Sequence, residues 1–441
     1  MRDARRTALC LSLFAFLSSC GGAASLRAAE QGRIEGLARL VDADVKRGAF
    51  DATDAHELAR AVARDMVAHA QGAEGAELVR GFVSCARPID NALERRAEEG
   101  GPVAAAAVFV RVSARLAFSD EDYVPWAKAR PGELGTEFRA VGARVLTTKA
   151  HGALRRKLFS DGEQEVRVAA LTAAGIAADP ADVEPLLEAA RLDPYPLART
   201  LAIRAVGAIG GERVVTALKD LWARADEPSR EAIADAWGSP RARAVGGLRE
   251  LSWAVETQRG PAAIAAASAV TRGEAPAPAV EAATAVLARA IDEGSSRERI
   301  FAIQVAKLSS PSVREAIGRA SSASDEEVMI AAASRRLGAS PKEGGASASE
   351  RPALVQRLLA VARSDHKLPA LLAKSALART GGREVLPLLD RDAHGADAQA
   401  RKGAGMALIA LGELPRAAVL AADTDPRVRA AVSCALIRAE P

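Results

Sequence analysis

From Asp161 to the end, the chain repeats itself about every 31 residues, a period that marks a stack of like units. Each unit opens with an acidic residue, continues with an apolar-Arg pair and a small-residue helix ending near Gly, and closes with a second apolar helix. Asp161 with Val166-Arg167 and Gly175 opens one copy, and Asp193 with Ala198-Arg199 and Gly207 the next. Asp226 with Arg230 and Gly238 follows, and Asp425-Pro426-Arg427-Val428-Arg429-Ala430-Ala431 ends the chain. No such unit can bury its own apolar face, so stacking must supply the core. The expectation is an all-α chain, a right-handed α-solenoid (superhelix) of stacked antiparallel helix pairs. Aromatics make up 3% of residues while apolar residues reach 49%, so Ala, Leu and Val must do the packing between thin layers.

Within the regular units, an Asp placed before the first helix can accept from its free amides. Pro194, Pro228 and Pro426 sit near helix starts, where no intrahelical donor is lost. The second helix of the first unit opens at Val183-Glu184-Pro185, and Leu186-Leu187 point into the stack. Beyond residue 260 the pattern loosens. Two connections read as enlarged loops: residues 271–279, with Pro276 and Pro278, and residues 339–351, rich in Gly, Ser and Ala and expected to be mobile. The half unit from Pro426 is expected to cap the array.

The Asp-Pro-Arg-Val-Arg-Ala-Ala pattern, followed by small residues, Leu and Gly, resembles HEAT repeats of the phycobilisome-lyase type over residues 159–441. That resemblance implies an inter-repeat ladder of Asp and Arg, carried here to Asp193, Arg167, Arg199, Arg230 and Arg429. Met329 and Leu371 stand near expected Arg positions, which interrupts the pattern in later units. Residues 31–158 lack the signature and read as helices over 34–46, 54–70, 77–97, 103–118 and 134–159, the last with a break at Gly142. They are either diverged repeats or a helical cap.

The amino terminus reads as an address. Arg2, Arg5 and Arg6 precede an apolar run over residues 8–17 that is too short to span a bilayer. Leu17-Ser18-Ser19-Cys20 resembles the lipobox of bacterial lipoproteins, which implies a signal peptide over 1–19, a lipid on Cys20 and a flexible Gly, Ala and Ser tether over 20–30. Gly21 rather than Asp after the Cys resembles the outer-membrane sorting pattern, facing the periplasm or the surface. The alternative is cleavage near Gly22-Ala23-Ala24 and a soluble periplasmic or secreted protein. Arg5-Arg6 leaves the export route open. Cys85 and Cys434 are separated by most of the array, so they are expected to be two small buried thiols, bridged only if the array curls closed.

Chemistry-bearing residues are sparse. His56, His69, His151, His366 and His394 form no metal-ligand pair with Cys or a second His, and no HExxH, GxSxG or P-loop occurs. HEAT-like iron hydroxylases repeat a His-Glu dipeptide; His56-Glu57 is the single one here and reads as an exposed helical pair. No catalytic residue, metal site or cofactor is expected. Trp222, Trp237 and Trp253 fall in adjacent units and fill gaps between Ala-rich helices or form an aromatic patch. Trp222, Trp253 and Arg249 are the candidate binding surface. The net charge is +4 despite a pI near 9.0, and loss of residues 1–19 leaves +2, too balanced to draw nucleic acid. The expected function is a non-catalytic protein-binding scaffold of the bacterial cell envelope, anchored to the membrane through Cys20. The alternatives are a HEAT-like lyase or hydroxylase-type enzyme and a purely structural envelope lipoprotein.

Overall fold

The structure is a computed structural model that describes residues 23–116, 120–130 and 135–439; the expected signal peptide and Cys20 lie outside the described residues. Every regular element among the described residues is a helix, and the chain divides into two compact units. Both are built from stacked helices, the α-solenoid expected from the repeat. The division falls at Leu116 and Thr380 rather than at residue 158: residues 117–380 form one unit, and the two ends of the chain together form the other.

In the central unit the first helices of successive repeats form a continuous row. Thr136–Arg144 packs on Gln164–Ala177, which packs on Pro196–Ile209, then Glu227–Trp237, Gly260–Arg272, Ser296–Val305, Glu326–Gly338 and Lys367–Arg379. Alanines line the seams: Ala169, Ala170, Ala173 and Ala174 are buried, as are Ala202 and Ala205 of the next helix. Side chains this small bring backbones together. A Cβ on Gly207 would stand 2.5 Å from that of Ala236, and one on Gly142 only 2.4 Å from the Ala127 backbone nitrogen. Gly142 is therefore a contact inside the Thr136–Arg144 helix and not its break. The expected long helix is interrupted later, around residues 145–148, before Gly152–Leu158.

Helix starts follow local chemistry. Asp226 accepts from the Ser229 amide, Asp325 from Glu327 and Val328, and Ser295 and Glu298 form a reciprocal capping box. Both expected loops are shorter or more ordered than the sequence suggested. Thr271 and Arg272 still belong to a helix and the next begins at Ala277, so only 273–276 is open. The 339–350 connection is pinned by a Ser340–Glu343 capping box, by the buried Ala346 donating its amide to the Arg336 carbonyl at 2.9 Å, and by the Glu350–Arg336 ion pair. Its Gly and Ser content served turn geometry rather than mobility.

The terminal unit joins distant stretches of sequence. The expected tether is helical from Ala24 to Glu30, and its buried Ser25 donates through both amide and hydroxyl to Asp44, at 2.9 and 2.7 Å. The expected helix over 77–97 is split, with two short 3₁₀ turns around Pro88 between Gly72–Arg80 and Asp90–Ala97. Pro426–Arg438 does not cap a free end. It packs on Ala52–His69, burying Val428, Val432 and Leu436, while Leu414–Ala421 packs on Leu37–Lys46. His56 is buried in this seam and donates to the Leu436 carbonyl at 2.8 Å, so the His56-Glu57 pair is not an exposed one. Cys85 and Cys434 are joined as a disulfide across 349 residues, with Cα atoms 5.5 Å apart. The expectation of two separate thiols is thus corrected. It assumed ends held apart, whereas the first and last helices share one core. Among the described residues no helix is long and apolar enough to cross a membrane.

Candidate binding groove

In the first helices of several units an arginine recurs at one place, four residues after the N-cap, where its amide closes the first turn. Arg139, Arg167, Arg199, Arg230, Arg299, Arg401 and Arg429 all occupy it. From this position the guanidinium reaches back to the loop before its own helix and forward to the next unit. Arg167 donates to the Asp161 carbonyl at 3.0 Å and grips Asp193 with two bonds of 2.8 and 3.2 Å. Arg199 repeats the arrangement on the Asp193 carbonyl, at 3.0 Å, and on the Asp226 carboxylate. Arg139 pairs with Asp161, and in the terminal unit Arg401 grips Asp423 at 2.7 and 3.0 Å. Each Asp also holds an amide just ahead, Tyr195 for Asp193 and Asp425 for Asp423. One carboxylate thus ties two units together and orders the turn between them. The hydrogen bond to Asp193 raises the pKa of Arg167, and those from Ser229 and Arg199 lower that of Asp226.

The ladder lapses at Arg230, at Arg299, whose Nε likewise donates to a backbone carbonyl eight residues back, Ile291 at 2.8 Å, and at Arg429. Arg230 has the same register, yet its Nε donates to the Trp222 carbonyl at 3.2 Å, and no carboxylate among the described residues pairs with it. Arg429 donates to the Asp423 and Thr424 carbonyls, and its Nε is buried without a partner among the described residues. The lapse at Arg230 has a sequence cause. Gln258 stands three residues before Pro261, as Asp193 does before Pro196 and Asp423 before Pro426. By that spacing an amide stands where those units carry a carboxylate, with the helix beginning one residue earlier relative to its proline, at Gly260.

Around Arg230 lies a groove of about 1150 Å³ that spans three consecutive units and includes Trp222, Trp253 and Gln258 in its lining. Trp222 is 3% exposed and stacks on the fully buried Trp237 with ring centres 5.1 Å apart. It is therefore mainly core, and only its edge borders the groove. Its indole N–H has no acceptor among the described residues. Trp253 meets Trp222 edge-on at 6.1 Å, and the Lys219 ammonium lies 5.6 Å over its ring while pairing with the buried Glu250 at 2.7 Å. Arg249 is not part of the lining; it is an exposed side chain paired with Glu250. The tryptophans announced the place. Arg191, Leu192, Arg224 and Gln258, also in the lining, were missed, although the spacing from Pro261 to Gln258 carried the signal.

The remaining candidates are dispersed. His69 bonds Asp65, His151 meets Glu121 and Thr148, His366 meets Glu326, and His394 bonds the Asp390 carbonyl. Among the described residues no three His, Cys, Asp or Glu side chains gather as a metal site.

Fold and ladder together define a helical-repeat protein whose units are tied by Arg-Asp pairs. More particularly, residues 152–238 match the family model of HEAT repeats. No curated protein sequence matches the chain. Among solved structures, YibA of Escherichia coli is similar at 14% identity over 67% of this chain and 93% of its own, with a TM-score of 0.30. Human deoxyhypusine hydroxylase is similar at 17% identity over 71% of this chain and 100% of its own, TM-score 0.25. The karyopherin Kap121p bound to RanGTP is similar at 14% identity over 93% of this chain and 56% of its own, TM-score 0.34. None of these likenesses bears on partner or activity.

Proposed function

We propose that this protein is a non-catalytic binding scaffold, exported to the bacterial cell envelope, held to the membrane through lipidated Cys20, and engaging another protein through the groove. The observation that carries this reading is the groove itself: an open surface across three units, with charged and aromatic groups presented side by side. Repeats suit shallow recognition over a long surface, because each unit adds contacts without rearranging its neighbours. Export is supported by the leader and by the Cys85–Cys434 bond, since disulfides persist in oxidising compartments and are rare in reducing ones. Two or more acyl chains at the new amino terminus hold a protein to a membrane durably, where a single chain does so marginally. The dispersal of histidines and the near-neutral net charge argue against bond-making chemistry and nucleic acid as the client.

Proximity crosslinking in the native host tests the scaffold; reproducible partners are expected, and none in repeat trials sinks it. Lipid labelling tests the anchor: Cys20→Ser should abolish incorporation and release the protein from membranes, and unchanged labelling refutes lipidation there. Stoichiometric iron or a bound chromophore in the purified protein would replace the scaffold with an enzyme.

A further inference from the structure

The groove lies where the Arg-Asp ladder is missing a carboxylate, and we infer that a partner supplies it: the groove takes an acidic peptide segment whose Asp or Glu side chain docks on Arg230, beside an apolar residue set against Trp253 and Leu192. This inference rests on the scaffold reading and names the chemistry of its partner.

Three observations point to this occupant. Arg230 holds the ladder register but donates only to a backbone carbonyl, with its terminal nitrogens unclaimed by any carboxylate among the described residues. In the preceding units the same place on the array binds a carboxylate each time, through Arg167 and Arg199. Arg230 thus stands without the carboxylate that the two preceding arginines hold, and Gln258, an amide in the same groove, does not supply one. Second, the unmatched charge is positive. Arg191 and Arg224 line the groove and neither has an ion-pair partner among the described residues, whereas Asp226 is already held by Arg199 and Ser229; Asp220 is the one unpaired acid on the rim. Third, the groove offers apolar and donor surface beside the cations. Leu192 is 71% exposed and Trp253 is partly exposed, with Arg191, Arg224 and Arg230 as the donors beside them. A carboxylate is planar and accepts two parallel guanidinium bonds; at Asp193 these come from Nε and Nη2 of Arg167. At Arg230 the Nε is held by the Trp222 carbonyl, and the two terminal nitrogens remain to bind an acidic side chain, which matches them better than an amide does. Asp220 and Asp226 in the lining disfavour a polyphosphate backbone, which would bring repeated negative charge past both.

The test uses full-length protein in detergent and a fluorescein-labelled twelve-residue peptide of alternating Leu and Glu, read by anisotropy. Gln258→Asp restores the carboxylate within the chain and should fill the site from inside. Binding is expected to weaken at least tenfold in Gln258→Asp and in Arg230→Gln, and at least tenfold when the peptide carries Gln in place of Glu. A Gln258→Asp melting temperature at or above that of the wild type establishes that lost binding is not lost folding. The inference is overturned if the wild-type protein does not bind the peptide, if both variants bind as the wild type does, if the Gln peptide binds equally, or if a twelve-nucleotide RNA displaces the peptide at equal concentration. Crosslinking of Gln258→Asp in the host separates the two levels. Partners captured equally by wild type and variant leave the scaffold standing and remove this groove as its seat, whereas no partner from either removes the scaffold itself.

Discussion

The two units solve the same packing problem with different connectivity. The central unit is assembled from neighbours in sequence: each helix meets the ones just before and after it, and Arg-Asp pairs such as Arg167–Asp193 recur with the repeat. The terminal unit brings together residues 23–116 and 381–439, and its seam is closed by His56 on Leu436, by Pro426–Arg438 against Ala52–His69, and by a disulfide. Local stacking is encoded in a period and survives the loss of any one rung. Closure of distant segments has no period, so it must be specified by particular contacts, and it concentrates its stability in them.

The largest expected effect follows from that difference. Cys85→Ser removes a crosslink over 349 residues, and loop entropy puts its contribution to complete unfolding at about 6 kcal/mol. Chemical unfolding should show a loss of this order in the variant, the same loss on reducing the wild type, and no further effect of reductant on the variant. Hydrogen exchange should speed up first in Ala52–His69 and Pro426–Arg438. A variant as stable as the wild type would break the contrast between the units, because closure would then need no covalent support.

Next comes the rung itself. Asp193→Ala leaves the mostly buried Arg167 guanidinium without its counter-charge and frees the Tyr195 amide, for an expected loss of about 3 kcal/mol. Asp423→Ala does the same to Arg401 in the terminal unit. Equal losses in the two variants would make the rung a local device, independent of how each unit is connected. A much smaller loss at Asp423 would show that the disulfide and the seam mask it.

A third comparison concerns close approach. An Ala Cβ at Gly142 meets backbone, 2.4 Å from the Ala127 nitrogen, so the helices must separate, at a cost of about 2 kcal/mol. At Gly405 of the terminal unit the nearest atoms are side-chain methyls, Val432 Cγ2 at 2.6 Å and Leu420 Cδ1 at 3.2 Å, which can turn away. Thermal melts should therefore place Gly142→Ala well below Gly405→Ala.

The same contrast decides what could be read from sequence. The helix pairs between residues 161 and 238 were legible because Asp, the apolar-Arg pair and Gly recur together, and the Arg positions led to Arg167, Arg199 and Asp193. The helix over 24–30, the split at Pro88 and the Cys85–Cys434 bond were not, since they depend respectively on packing against the following helices through Asp44, on turns of a few residues, and on a partner hundreds of residues away. In the groove, Trp222 and Trp253 stood out by rarity, but rarity does not distinguish a stacked core ring from an exposed one, and Arg249 followed from charge density alone. Gln258 was invisible for the opposite reason: it matters as a departure from the Asp seen in other units, and a departure shows only once the register is known.

The smallest expected effect lies in the pinned connection of the central unit. Arg336, with the Ser347 amide and hydroxyl, holds the Glu350 carboxyl down to about 2, below its ordinary value of 4.5. A carboxyl whose pKa is lower in the folded state stabilises the fold above its unfolded value. That contribution fades as pH falls from about 4.5 toward 2, where protonation releases Arg336. Because the carboxylate is half exposed, solvent screens the pair and the effect is modest. Limited proteolysis across this pH window should show the 339–350 segment becoming more readily cut in the wild type as acid is added. In Glu350→Gln the segment should already be more readily cut at neutral pH and change less on acidification. Parallel pH profiles for the two proteins would mean that the Ser340–Glu343 box and the buried Ala346 hold the connection on their own, and that this loop, like the helices around it, is fixed by backbone geometry rather than by charge.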